Sequence, residues 1–399
     1  MTKNIIEDSE ILKQVIKERA VGTENNEMIV NYLEKEFLTS GYAIKSMPFD
    51  CIVWKNGESK LKIGNDKISI FASPFSTQFY GEGKVVIIKS IKDLQEKNLS
   101  DKIIVLCKEI AKRQLQPKDF PFYYPDEDKK IISCLEEQNP KAIISVTGKS
   151  QMCGRSPFPI FEDGNFSIPS AYVSDDVLSQ LVNCENKNTA VSITINSQNI
   201  DSKSRQIVGY KKVSKSKGKI IVCAHMDTKY NTVGALDNAT GIAVLMKVMY
   251  ILQETFGEFD IDFVPFNSEE YFGVDGELNY LDYIDNQQDK IELVINIDSP
   301  CHINSQTAIS CYNLSENMES HIDSMIMKYD RVVRGDEWYA GDHCAFVFRG
   351  IPCIAVTSSN LFNGALEFTH TPKDTLDTVD LTLINHTAEF ISEFIQRLG

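Results

Sequence analysis

The chain contains no pair of cysteines spaced as C-x-x-C, although its 399 residues include 10 cysteines. Cys51, Cys107, Cys134, Cys153, Cys184, Cys223, Cys301, Cys311, Cys344 and Cys353 are scattered, several of them inside apolar, strand-like runs. That distribution argues against a disulfide framework and is expected of free thiols in a reducing compartment. Positive charge is also short, with Lys+Arg 41 against Asp+Glu 56 and a formal net charge of -15. Nucleic acid and anionic membrane are therefore disfavoured as main partners. The opening MTKNIIEDSEILKQVIKERAVGT lacks a basic segment followed by ~7 to 15 apolar residues and a small-residue cleavage site. No uninterrupted apolar run approaches the ~20 residues needed to span a bilayer. The expectation is a cytoplasmic protein with no signal peptide and no transmembrane segment. Internal repeats and low-complexity tracts are absent as well.

What remains is ordinary globular composition, 42% hydrophobic and 24% charged, at a length that suits one large or two medium domains. Between about residues 5 and 45, Ile11, Leu12, Val15 and Ile16 form one helical stripe and Ile29, Val30, Leu33, Phe37 and Leu38 another. Two amphipathic helices follow from that spacing. From 49 to 198 the texture changes to short β-rich runs: KVVIIKSI, KIIVLCKEI, KAIISVTG, SIPSAYVS and AVSITINS. They predict an inserted, strand-dominated domain, followed by a polar linker, IDSKSRQ. From 199 to 399 strands near 219–226, 260–267, 291–298 and 351–357 alternate with helices near 238–254, 315–329 and 379–397. That alternation predicts an α/β sheet layered with helices.

Several of these strands end in residues that bind metals. The run Ile220, Ile221, Val222, Cys223, Ala224 is apolar throughout, as in a strand covered on both faces, and it closes on His225 and Asp227. IDFVPFNSEE ends at Glu269 and Glu270, and LVINIDSP runs through Asp298. Asp237 lies in the loop GALDNATG and His370 in EFTHTPKDTLDTVD. Singly, each residue has a plainer role: a satisfied histidine, a helix cap, a solvated acid or a turn former. Together they supply two imidazoles and several carboxylates to the carboxyl edge of one sheet, where open α/β folds bind ligands. Imidazole and carboxylate suit zinc, and an oxygen-rich set also takes manganese or cobalt. One catalytic zinc needs about three protein ligands, so this set suits two ions sharing a carboxylate.

The segments AHMDT, GALDNATG, NSEEYFG, INIDSP, AGDHCAF and THTPKDTLD resemble, in order, those of the co-catalytic di-zinc aminopeptidases. That group includes bacterial leucyl aminopeptidase, glutamate carboxypeptidase and transferrin-receptor-like proteins. The resemblance implies a zinc-exopeptidase fold with a mixed, mostly parallel central sheet. Residues 1–48 would be its N-terminal helical part, 49–198 a protease-associated-like insert and 199–399 the catalytic domain. It implies further that Asp237 bridges two zinc ions, with His225 and Asp298 completing one site and Glu270 and His370 the other. Glu269 would be the general base, Asp227 would hydrogen-bond His225 from behind, and the peptide bond from Asp237 to Asn238 would be cis. Asp342 and His343 match a family doublet, read as a structural hydrogen bond near the site, and Tyr339 is a candidate oxyanion stabiliser. Gly234 and Gly241 would let the Asp237 loop fold back and the next helix pack closely. Cys223 and Cys344 are expected in the core, His302, His321 and His386 in surface or structural roles, and Asp374 and Asp377 as caps of the last helix.

The function so implied is removal of single residues from peptide N-termini. Alternatives are a carboxypeptidase drawing on Arg331, Arg334 or Arg349, another amidohydrolase, a glutaminyl cyclase, or a receptor-like binding protein without metals. Oligomeric state has no signature in the sequence.

Overall fold

The computed structural model describes residues 8–254, 257–287 and 289–398; the expectation of helix at residues 5–7 lies outside them. The chain divides into two compact units, Met1–Cys51 with Ser202–Gly399, and Ile52–Asp201.

The first unit is built on an eight-stranded sheet in the order Ala43–Asn56, Ser197–Lys211, Asp260–Phe266, Lys219–His225, Ile291–Ile297, Cys353–Ser358, Thr307–Tyr312, Val332–Arg334. Lys219–His225 lies parallel to both its neighbours, and Cys353–Ser358 extends the parallel block. Antiparallel strands flank that block, Ser197–Lys211 on one side and Thr307–Tyr312 on the other. The sheet is thus mixed and mostly parallel, as expected. All of Lys219–His225 is buried, which accounts for its unbroken apolar run: helices cover both faces of a parallel sheet. The helix Thr240–Leu252 packs against this strand and against the last helix, Leu381–Arg397. The stretch Ala235–Leu252 is apolar and long enough to cross a membrane by composition, but 89% of it is buried inside the unit. It is a core helix, interrupted by the buried polar residues Asp237, Asn238, Thr240 and Lys247.

Two expectations about local structure are corrected and a third is extended. The first two helices are Asp8–Val15 and Glu24–Thr39, and Leu38 is exposed rather than part of the buried stripe of Ile29, Val30, Leu33 and Phe37. IDSKSRQ is no linker; it lies within the strand Ser197–Lys211, whose early residues are largely exposed and whose later ones are buried. A strand that is partly solvated carries polar residues without losing its ladder. The second unit, read as strand-dominated, is a closed barrel of seven strands that also carries the helices Ile91–Glu96, Asp126–Gln138 and Leu178–Asn186. Leu94, Ile131 and Leu135 from two of these helices pack with Ile104, Leu106 and Ile143 of the strands.

Candidate metal centre

Three neighbouring parallel strands finish at one edge, and the chain's chemistry collects there. Lys219–His225 ends on His225, Asp260–Phe266 leads through Asn267 and Ser268 to Glu269 and Glu270, and Ile291–Ile297 hands over to Asp298. Asp237 returns to this edge from the turn ahead of Thr240–Leu252, where its backbone is non-helical (φ -110°, ψ 88°). The Asp237–Asn238 peptide bond is cis. Gly234 has φ +54°, and a Cβ there would lie 2.3 Å from the Asp237 carbonyl oxygen; a Cβ at Gly241 would lie 2.1 Å from Asn238 Oδ1 and 2.6 Å from the Ile297 carbonyl. Both glycines are therefore required by close backbone approach. Asn238 fastens the turn to the neighbouring strand, donating to the Ile297 carbonyl at 2.8 Å and accepting from the Gly241 and Ser299 amides at 3.0 and 3.1 Å.

The five expected ligands converge. His225, Asp237 and Asp298 form one triad and Asp237, Glu270 and His370 a second, the ligand atoms of each lying within 4.8 Å of one another. His225 Nε2 is 3.1 Å from Asp237 Oδ1, and His370 Nε2 is 3.1 Å from the other oxygen, Oδ2. His370 Nε2 also lies 2.8 Å from Glu270 Oε1. The two oxygens of Asp237 thus face different triads. Burial alone would raise the Asp237 pKa, but hydrogen bonds from His225 and His370 outweigh it and hold the carboxyl below its usual range. Burial opposes a charge on His225 too, yet Glu269, Asp237 and Asp298 push its pKa well up.

Lys229 supplies a nearby cation, its Nζ 3.2 Å from Glu270 Oε2 and 2.9 Å from the Glu270 carbonyl oxygen. Glu269, half-buried beside these groups, has a pKa raised well above normal, first by desolvation and then by the charges of Glu270, Asp342 and Asp298. Such crowding of acids in a sheltered place is unfavourable without cations to meet it. Two-histidine, three-carboxylate chemistry with one carboxylate common to both halves fits a pair of divalent ions.

Asp227 lies behind His225, with Oδ1 3.8 Å from Nδ1. That exceeds a hydrogen bond, and both atoms are buried without a hydrogen-bond partner among the described residues. Its other oxygen accepts the Glu270 amide at 3.0 Å, so Asp227 touches both the imidazole ligand and the backbone of an acidic one. His343 is buried; Nε2 faces the Trp338 carbonyl at 2.9 Å and Nδ1 the Asn296 amide nitrogen at 3.5 Å. A neutral ring protonated on Nε2 satisfies both, and burial lowers its pKa accordingly. Among the described residues Asp342 has no hydrogen-bond partner other than the Glu277 carboxyl that it faces. Tyr339 is exposed, its hydroxyl donating to Glu337 at 2.6 Å and its ring stacked on Phe348. The neighbouring Trp338 ring packs on Gly341, whose Cβ position is 3.2 Å from both that ring and Asp298 Oδ2.

Cys223 and Cys344 are core residues as expected, and buried His302 pairs with Asn360. The assignment of Asp374 and Asp377 as caps is wrong. Asp380 caps the last helix, accepting the Thr382 amide, and Asp377 is exposed. Asp374 is buried and accepts the Leu236 and Asp237 amides at 2.7 and 3.1 Å. It thereby locks the loop carrying His370 to the loop carrying Asp237. Its place four residues after His370 was a usable signal, outweighed by its nearness to the helix start.

Residues 206–395 match the sequence model of peptidase family M28. The M28 match spans every residue of both triads. Among solved structures the chain is similar to an aminopeptidase from Aneurinibacillus sp. strain AM-1, at 18% identity and TM-score 0.76 over 98% of this chain and 93% of that one. It is likewise similar to a zinc aminopeptidase from Bacillus subtilis, at 16% identity and TM-score 0.71 over 99% and 96%. A third is an M28 peptidase precursor from Shewanella amazonensis, at 18% identity and TM-score 0.69 over 97% and 91%. The fold is that of these solved structures. No curated protein sequence gives a significant match.

Proposed function

We propose that the chain is a metal-dependent exopeptidase, an aminopeptidase that holds two zinc ions with Asp237 between them. The observation that carries this reading is the division of the Asp237 oxygens between two triads, one toward His225 and the other toward His370. His225 and Asp298 would complete one site, Glu270 and His370 the other. Manganese or cobalt suits the same donors. When bound, the ions would supply an acidified water and polarise the scissile carbonyl.

The chain's own groups account for the proton traffic. Glu269 takes the proton of the attacking water and returns it to the departing amine. Asp227 backs His225 and anchors the amide of Glu270. The acidic surroundings suit a substrate that enters with a free ammonium group. Arg331, Arg334 and Arg349, which a carboxypeptidase would draw on, are each paired with a carboxylate: Asp380, Glu319 and Asp285. Peptides are the proposed substrates, and residues 52–201 the counterpart of a protease-associated domain.

The test is hydrolysis of free, N-blocked and C-blocked dipeptides, with activity removed by chelation and restored by zinc. Cleavage of free and C-blocked but not N-blocked peptides supports the aminopeptidase; the opposite blocking pattern supports the carboxypeptidase. Glu269→Gln is expected to keep both metals and lose turnover by about 10²-fold or more, whereas His225→Ala loses metal as well. Undiminished turnover in Glu269→Gln rejects the assignment of the base.

A further inference from the structure

Arg19 comes from the short segment between the first two helices, yet its side chain is fully buried in the first unit, 0% exposed. Its guanidinium makes no hydrogen bond to a carboxylate among the described residues. Nε donates to the Met226 carbonyl at 2.5 Å, Nη1 to the carbonyls of Val233 at 2.7 Å and Lys17 at 3.2 Å, and Nη2 to the Gly234 carbonyl at 3.1 Å. Its backbone amide donates to Thr228 Oγ1 at 3.0 Å. Met226 sits between His225 and Asp227, and Gly234 lies three residues before Asp237. One rigid fork therefore closes both ends of the loop that runs from His225 toward Asp237. Asn26, on the helix that follows, donates to the Arg19 carbonyl at 3.1 Å and to Asn267 at 2.8 Å, two residues ahead of Glu269.

Burial pulls the Arg19 pKa to about 10 against the pull of Asp227, Asp374, Asp237 and Glu270, so it remains a cation at neutral pH. A guanidinium can hold several carbonyls in fixed directions, whereas an ammonium offers a point charge on a flexible stem. Of the two, the hydrogen-bond pattern uses the first.

We propose that Arg19 is a positioning residue that sets the metal affinity of this site by fastening the loop from Met226 to Gly234. This rests on the reading of the two triads as a metal centre. Because Arg19 bonds backbone carbonyls rather than substrate-facing atoms, its loss acts on the geometry of His225, Asp227 and Asp237.

The experiment compares full-length wild type with Arg19→Lys and Arg19→Met. Each is followed without metal by circular dichroism and thermal melting, then by zinc competition against a chelator, by the visible spectrum of the cobalt-loaded form, and by kcat and KM at saturating zinc. The expected result is that both variants fold, that each binds zinc at least about tenfold more weakly, and that the cobalt bands shift. At saturating zinc kcat falls while KM changes little, and Lys does not rescue what Met loses. A variant with wild-type zinc affinity and an unchanged cobalt spectrum overturns the proposal. So does failure of both variants to fold without metal, which would make Arg19 a folding residue. A wild type that binds no zinc overturns the metal reading itself, an outcome distinct from either of these.

Discussion

At the scale of single residues, the site is a concentration of acid that the protein tolerates in an ordered way. Asp237 is ionised because two imidazoles reach it, while the Glu277 and Asp342 carboxyls face one another and bind protons more tightly than ordinary carboxyls. Burial is the larger cause in this pair; it lifts Glu277 to about 7, and Asp342 is raised well above the usual carboxylate range by burial and by Glu277. Such groups bind protons more tightly folded than unfolded, so their contribution to stability falls as pH rises from the ordinary carboxylate range through the raised values. Asp342→Asn removes one titrating proton and gives Glu277 an amide donor. Metal-free wild type should therefore lose stability relative to this variant between pH 5 and 8, by about 1 kcal/mol per pH unit. Urea unfolding of both proteins at several pH values measures this, and a difference independent of pH contradicts this account of the pair.

At the scale of elements, the turn from Gly234 to Gly241 is tightly fitted. Gly241→Ala should gain up to about 1 kcal/mol of helix propensity, but the added methyl would meet Asn238 Oδ1 and the Ile297 carbonyl at 2.1 and 2.6 Å. Asn238 is itself held by three hydrogen bonds, so it cannot yield cheaply. Overpacking of this kind costs about 1–3 kcal/mol and should win, giving a variant that denaturant unfolding finds less stable than wild type. A variant equally stable would show that the turn relaxes. The strands that carry ligands were legible in the sequence because each is an apolar run closing on an acid or imidazole. The groups that hold those ligands were less legible. Arg19 and Asp374 act through backbone amides and carbonyls, which side-chain spacing does not encode; for Asp374 the signal was its place four residues after His370. The Tyr339 expectation rested on a short motif, and the structure turns that hydroxyl to Glu337 instead.

At the scale of the whole molecule, the parallel block of the sheet and its covering helices were readable from alternation of apolar runs. The barrel was only half readable, because the helices Asp126–Gln138 and Leu178–Asn186 lie in polar stretches that bury a single narrow face. The strand Ser197–Lys211 passes from the second unit into the first, which is why its polar composition read as a linker. Both functional proposals depend on one claim: three strand ends and two loops deliver ligands to two cations that share Asp237. The most direct test is zinc stoichiometry of the chelator-stripped, full-length protein, by titration and elemental analysis, for wild type and Asp237→Ala. The account predicts two equivalents per chain for wild type and loss of tight binding at both sites in Asp237→Ala. Fewer than two equivalents in wild type, or two retained without Asp237, would contradict it.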